Sequence, residues 1–283
     1  MQPDLDKFIL PKDRAVAIQF SGGRTSGMLL NRIVEANNGL PDNAYVLFQN
    51  TGREREETLD FVQCCEQNFG CRIHWLEFNN EYRELFEVVG HNSASRNGEP
   101  FQRLIEQKKY LPNVVTRFCT EVLKVRTARR FMVSEGFKKW YVTVGFRADE
   151  KKRVDRLAES NRRREIPLCP LYDAGITKRH VSEFWQNMPF NLELTDVSGS
   201  TPEGNCDGCF LKSEKSRAWL AKYHPDKAEW WAELERQMGS TFDKKVSWRE
   251  LIDNAQQQRD WIFDLGDEHS PYCTTNYGGC HEY

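Results

Sequence analysis

The sequence predicts an α/β protein, a mostly parallel sheet with helices on both faces, from two observations. The run Ala15-Val16-Ala17-Ile18-Gln19-Phe20 is apolar in the manner of a buried strand. It passes into Ser21-Gly22-Gly23-Arg24-Thr25-Ser26-Gly27 and then into a helical pattern carried by Met28, Leu29, Leu30, Ile33 and Val34. The same order of strand, loop and helix recurs downstream. Strands alternating with helices imply a parallel sheet whose ligands sit at the carboxyl ends of the strands.

Along the chain, a second strand pattern, Ala44 to Phe48, ends at Gln49-Asn50-Thr51-Gly52 and leads into a helix over Glu54 to Phe69, where Leu59, Val62, Cys65 and Phe69 recur at helical spacing. A third strand spans Cys71 to Phe78. Residues 79 to 118 break the alternation with polar, glycine-containing sequence around His91 to Gly98 and read as an insertion that covers the site. A helix near Glu121 to Ser134 precedes a fourth strand, Trp140 to Phe146. The charged run Lys151 to Arg164 reads as either a solvated helix face or a phosphate-gripping lid. A last strand, Ile166 to Tyr172, leads to a helix opened by Thr177 and carrying Val181, Phe184, Trp185 and Met188. Composition then shifts, which divides the chain into a nucleotide-binding region, 1–195, and a smaller cysteine-containing helical region, 196–283. There Trp219, Tyr223, Trp230, Trp231, Leu234 and Met238 repeat at helical spacing and read as core.

The 283 residues suffice for one large domain or two modest ones, and a net charge of -2 excludes a broad basic field for non-specific nucleic-acid binding. No apolar stretch reaches the roughly 18 residues of a spanning helix, and Met1 to Lys12 has no apolar signal core, so a cytoplasmic protein away from the membrane is expected. Nine cysteines in a reducing compartment point to metal, cluster or redox chemistry rather than to disulfides.

Ser21 to Ser26 have the makings of a phosphate site. The glycines let backbone N–H groups approach an anion, the hydroxyls of Ser21, Thr25 and Ser26 add donors, and the following helix points its N-terminus at the same place. The loop is neither a Walker A sequence nor G-x-G-x-x-G. Cys206-Asp207-Gly208-Cys209 is a C-x-x-C on a glycine turn, a spacing that puts two thiolates on one metal or cluster. Cys119 opens a helix, where its thiol pKa should fall, and Cys273 and Cys280 lie near the carboxyl end. Cys64, Cys65, Cys71 and Cys169 fall within predicted helix or strand and read as small apolar residues.

The loop resembles the pyrophosphate-binding loop, Ser-Gly-Gly-x-[Asp or Thr]-Ser, of the N-type ATP pyrophosphatases and their relatives, the phosphoadenosine phosphosulfate (PAPS) reductase family. Asn50-Thr51-Gly52 with Glu57-Thr58-Leu59 is similar to that family's N-T-G-x-x-x-x-E-T-L segment. Gly145-Phe146-Arg147-Ala148-Asp149-Glu150 is similar to its G-x-R-x-x-[EQ] strand end, and Pro170-Leu171-Tyr172-Asp173 with the following helix to its P-L-x-D-W segment. Phe118-Cys119 followed by Cys206 and Cys209 has the separation found in iron–sulfur sulfonucleotide reductases, with phenylalanine in place of one cysteine of their Cys-Cys pair. Gly279-Cys280-His281-Glu282 is similar to, but not the same as, their terminal Glu-Cys-Gly-x-His motif.

The resemblance implies the adenine nucleotide α-hydrolase fold. It further implies a 4Fe-4S cluster on Cys119, Cys206 and Cys209, zinc being the alternative. The usual fourth ligand is absent, so Cys273 or Cys280 replaces it or one iron stays open, and the likeness of Cys280-His281 to the reductases' terminal motif favours Cys273 on the metal and Cys280 for chemistry. ATP with Mg2+ would place its β- and γ-phosphates in Ser21 to Ser26, and its base and ribose at Phe20, Asn50, Thr51 and Gly52, with Gly145 also against the nucleotide. Arg24, Arg147 and Arg153 would then stabilise charge on the phosphates. The reaction expected is adenylation of an acceptor such as nucleic acid, followed by sulfur transfer from a donor protein. The alternative is a PAPS or adenosine phosphosulfate reductase in which Cys280 attacks sulfur, with a thioredoxin-like reductant. A further alternative is a non-catalytic nucleotide- or zinc-binding module.

Overall fold

A computed structural model describes residues 4–159, 164–195 and 201–257. Its strands are β1 (Val16–Phe20), β2 (Ala44–Asn50), β3 (Ile73–Glu77), β4 (Glu87–Val89), β5 (Trp140–Thr143) and β6 (Glu165–Leu168). They form one sheet in the order β4-β3-β2-β1-β5-β6, with only β4 antiparallel. All five residues of β1 are buried, as a central strand covered on both faces requires. The chain moves outward from β1 through β2 and β3, then returns to the other side of β1 for β5. This places a topological switch point between β1 and β5, and the crevice beyond their carboxyl ends is where such sheets bind ligands.

Helix α1 (Arg24–Ala36) lays Met28, Leu29, Leu30 and Ile33 on the sheet face formed by Val16, Ile18, Phe20, Val46 and Phe48, joined by α2 (Glu56–Phe69). The opposite face, with Ala17, Leu47, Val142 and Val144, is covered by Ala128, Phe131 and Met132, which follow a π-helical turn over Thr120–Arg126.

The break over 79–118 is more ordered than its polarity suggests. It holds the edge strand β4 and a helix, α3 (Glu99–Lys108), whose Phe101, Leu104 and Ile105 are buried. The last strand is shorter than predicted because Pro170 cannot extend it. Pro170–Asp173 instead make a helical turn, with Cys169 at its N-cap rather than inside the strand. Beyond α4 (Thr127–Ser134), the charged run is helical over Lys151–Glu159 (α5), while Arg162 and Arg163 lie outside the described residues.

After α6 (Pro170–Asp173) and α7 (Lys178–Gln186), the carboxyl-terminal region contributes α8 (Glu214–Tyr223), α9 (Pro225–Met238) and α10 (Trp248–Gln257). A single apolar core joins Trp231, Leu234, Trp248 and Leu251 from these helices to Phe78, Phe101, Leu104 and Leu123, so packing crosses the compositional boundary at 195. Tyr223 departs from the predicted core: α8 buries Arg217, Leu220 and Ala221, and Tyr223 is exposed. Among the described residues, no helix is long and apolar enough to cross a membrane.

Candidate active site: a phosphate loop and a thiol cavity

The loop after β1 is organised by its own side chains. Ser26 Oγ accepts from the Ser21 and Gly23 backbone N–H groups (3.2 and 3.3 Å) and donates to the Gly23 carbonyl (2.9 Å), and lies 3.1 Å from Ser21 Oγ. The two glycines do different work. Gly22 has φ +74°, and a Cβ there would come within 2.7 Å of Thr58, so it is fixed by backbone conformation and packing. At Gly23, the N-cap of α1, a Cβ would meet only Ser21 Oγ, at 3.6 Å, which leaves the helix N-terminus open.

Arg147 reaches this loop from the end of β5. Its guanidinium donates to Thr25 Oγ1 at 3.3 Å and to Asp149 Oδ1 at 3.0 Å, while its backbone N–H donates to Glu150 Oε2. Gly145, two residues earlier, packs against Thr25 and Ser26. Arg153 lies over the Phe146 ring, 4.2 Å from its centroid, and pairs with Glu150. Arg24 points elsewhere: its guanidinium donates to Asn191 Oδ1 (2.9 Å) and the Leu192 carbonyl (3.0 Å).

At the end of β2 the polar atoms are committed to protein partners. Asn50 Nδ2 donates to Glu77 Oε1 (2.6 Å) and the Ser95 carbonyl (2.8 Å), and its Oδ1 accepts from the Gly52 N–H. Burial raises the Glu77 carboxyl above its ordinary pKa, against the opposing pull of its bonds from Ser95 and Asn50. Thr51 donates through both N–H and hydroxyl to Glu54 Oε2, and its Oγ1 lies 3.3 Å from Cys206 Sγ.

Cys119, Cys206 and Cys209 line one cavity with Thr51, Thr120 and Lys124 on its polar side and Phe101, Leu123, Phe210, Leu211 and Trp231 on its apolar side. Soft thiol donors in an apolar shell are the donor chemistry of an iron–sulfur group. The C-x-x-C turn is held from within. Asp207, 3% exposed, pairs with the equally buried Arg53 at 2.7 Å, accepts from Trp231 Nε1 (2.8 Å) and the Gly208 N–H (2.7 Å), and donates its own N–H to the Arg53 carbonyl. The Arg53 guanidinium lies 4.3 Å from the ring centre of Trp230. A Cβ on Gly208 would come within 2.2 Å of Trp231 Nε1, so only glycine fits.

The sequence pattern of the phosphoadenosine phosphosulfate reductase domain matches residues 15–188, more than half of the chain. The chain belongs to this family. No curated protein matches it. Among solved structures it is similar to the phosphoadenylyl-sulfate (PAPS) reductase of Candida auris in its phosphate complex, at 15% identity and a TM-score of 0.41, covering 67% of this chain and 84% of that one. It is also similar to the U34-tRNA thiolase NcsA of Methanococcus maripaludis with its 4Fe-4S cluster, at 13% identity and a TM-score of 0.43, covering 94% of this chain and 82% of that one.

In this member of the PAPS reductase family the structure gathers Ser21 to Ser26, Gly145 and Arg147 at one crevice, and Cys119, Cys206 and Cys209 at one cavity. Cys273 and Cys280 lie outside the described residues. Burial pushes the thiol pKa of Cys65 up and that of Cys71 to about 11, as suits apolar packing residues. Sequence reasoning missed Arg53, Glu54, Lys124 and Asp207. Their signal was faint: Arg53 and Glu54 start a charged run that reads as a solvated helix entry, and Asp207 reads as a turn residue.

Proposed function

We propose that this chain is an ATP pyrophosphatase-type enzyme of the PAPS reductase family that couples adenylation of an acceptor oxygen to sulfur transfer. The observation that carries this reading is the junction of the two sites. The phosphate loop and the thiol cavity lie at the carboxyl ends of adjacent strands, and Thr51, at the end of β2, touches Cys206. An anion site alone would suit many nucleotide-binding proteins; an anion site beside three thiols suits chemistry between a phosphoanhydride and sulfur.

ATP, carried with Mg2+, places its β- and γ-phosphates in the Ser21 to Ser26 loop, over the open N-terminus of α1. The nucleoside packs on the backbone of the strand ends at Phe20, Asn50 to Gly52 and Gly145. The acceptor oxygen attacks the α-phosphorus, the bond to the β-phosphate breaks, and pyrophosphate leaves. Arg147, held beside Thr25, neutralises charge that grows on the phosphates in that step, with Arg153 behind it and Arg24 fixing the first turn of α1. A sulfur nucleophile then displaces AMP from the acceptor carbon. Cys119, Cys206 and Cys209 would hold a 4Fe-4S cluster with Cys273, and such a group supplies a soft site for the incoming sulfur. The apolar wall of Phe101, Phe210 and Trp231 keeps water from that sulfur.

The second reading, reduction of a sulfonucleotide by Cys280, rests on family membership. Calorimetric titration with ATP and with PAPS separates the two at the binding step. ATP binds the wild type, and Gly23→Val abolishes that binding without changing the melting temperature, because the side chain occupies the anion's place. Unchanged ATP affinity in folded Gly23→Val contradicts the proposed phosphate site, and binding of PAPS but not ATP favours the reductase.

A further inference from the structure

The helix that begins at Phe118 runs as a π-helix over Thr120–Arg126, seven residues, before α4 takes over at Thr127. Such i→i+5 segments are rare and concentrate at functional sites. Two bonds from Thr127 mark its end. The Thr127 backbone N–H donates to the Lys124 carbonyl, and its buried hydroxyl donates to the Val122 carbonyl, five residues back, at 3.0 Å.

The register decides what faces the thiols. Cys119 and Lys124 both line the cavity, with Thr120 and Leu123 between them. Residues five apart stand roughly 140° apart around an α-helix of 3.6 residues per turn. The wider, i→i+5 bonded π turn narrows that separation and brings them toward one face. Sequence spacing alone would therefore separate the thiol from the ammonium. On the far side, Ala128, Phe131 and Met132 are locked against the sheet. A change of register has to be absorbed at the other end, where Val114 and Val115 lie in an exposed loop leading to Cys119.

We propose that Thr127 is a positioning residue for the thiol cavity: its hydroxyl holds the π turn that sets Cys119 and Lys124 on one face. Without it the helix relaxes toward the α register, and Cys119 rotates out of the cavity. The consequence for metal rests on Cys119 being a ligand; the consequence for its orientation does not.

The test compares Thr127→Val, which keeps shape and removes the hydroxyl, with Thr127→Ser, which keeps the hydroxyl. In metal-free protein, alkylation of Cys119 by iodoacetamide, followed by peptide mass spectrometry, should be about fivefold faster in Thr127→Val, the equilibrium factor that one hydrogen bond of typical net worth carries. Thr127→Ser should match the wild type. After anaerobic reconstitution, Thr127→Val should retain less than half of the wild-type iron. An unchanged alkylation rate in folded Thr127→Val overturns the proposal, and so does an equal increase in Thr127→Ser. Should Thr127→Val fail to fold, Thr127→Ala removes the same hydroxyl with less bulk under the same criteria. A wild type that binds no iron defeats the cluster reading and leaves the alkylation result to judge Thr127.

Discussion

The loop after β1 and the thiol cavity lie at the same carboxyl end of the sheet, yet they are built in opposite ways. The loop is organised largely from within: Ser21, Gly23 and Ser26 bond one another within six residues, while Arg147, Trp185 and Asn191 reach its Thr25 and Arg24 from afar. The cavity is assembled from distant segments, with thiols from 119, 206 and 209, a wall from α3 and α9, and a buried Arg53–Asp207 pair fastening the C-x-x-C turn to the end of β2. A local site tolerates change elsewhere in the molecule. A site built from distant parts depends on every fastener.

This contrast predicts that the largest effect of a single substitution falls on the cavity. Asp207→Ala leaves Arg53 as an uncompensated buried cation and removes the acceptor for Trp231, so urea unfolding should show a loss of about 3–5 kcal/mol. Iron should be lost as well, while any folded fraction still binds ATP. A loss below ~1 kcal/mol would erase the distinction between the two sites, because that is the range of an exposed pair.

Next in size is Gly208→Ala. Its methyl group has to displace the Trp231 indole, at a cost of about 1–3 kcal/mol typical of overpacking. The companion change in the loop, Gly23→Ala, meets only Ser21 Oγ and should leave the melting temperature unchanged while weakening ATP binding in calorimetry. Equal destabilisation by the two would contradict the contrast.

These differences explain what the sequence discloses. β1, its loop and α1 are legible because strand, anion site and helix are contiguous, and their apolar periodicity is a local property. Arg147 is legible through the resemblance of Gly145 to Glu150 to the family's G-x-R-x-x-[EQ] strand end. The helix α3 was open to reading, with Pro100 at its start and Phe101, Leu104 and Ile105 at helical spacing, but the polar residues before it mask the signal. β4 has three residues, too few for an alternation to show. The Arg53–Asp207 pair is invisible, since nothing in a charged residue's neighbours along the chain reveals that it is buried against a partner 154 positions away. The π register is likewise hidden, because it changes which residues share a face without changing any residue type.

A smaller effect comes from the sheet itself, away from both sites. His74 packs beside Tyr45 and Phe131, and burial, aided by Arg72, lowers its pKa from 6.5 to about 4. As pH falls through 6.5, the unfolded chain takes up a proton that the folded chain refuses until about 4, so stability falls across that window and is fully present above it. The melting temperature should drop between pH ~7.5 and ~5, and His74→Phe should reduce that drop. A variant with the same pH dependence as the wild type would assign the effect to other groups.

The central claim, that an ATP-cleaving loop and a sulfur centre work in one reaction, is tested most directly by product analysis. Anaerobically purified, iron-loaded protein is incubated separately with ATP and with PAPS, and AMP, pyrophosphate and sulfite are quantified. With total nucleic acid as acceptor and sulfide as sulfur nucleophile both supplied, AMP and pyrophosphate are expected in equal amounts from ATP, with no sulfite from PAPS. Sulfite from PAPS with no cleavage of ATP would contradict it and establish the reductase reading instead.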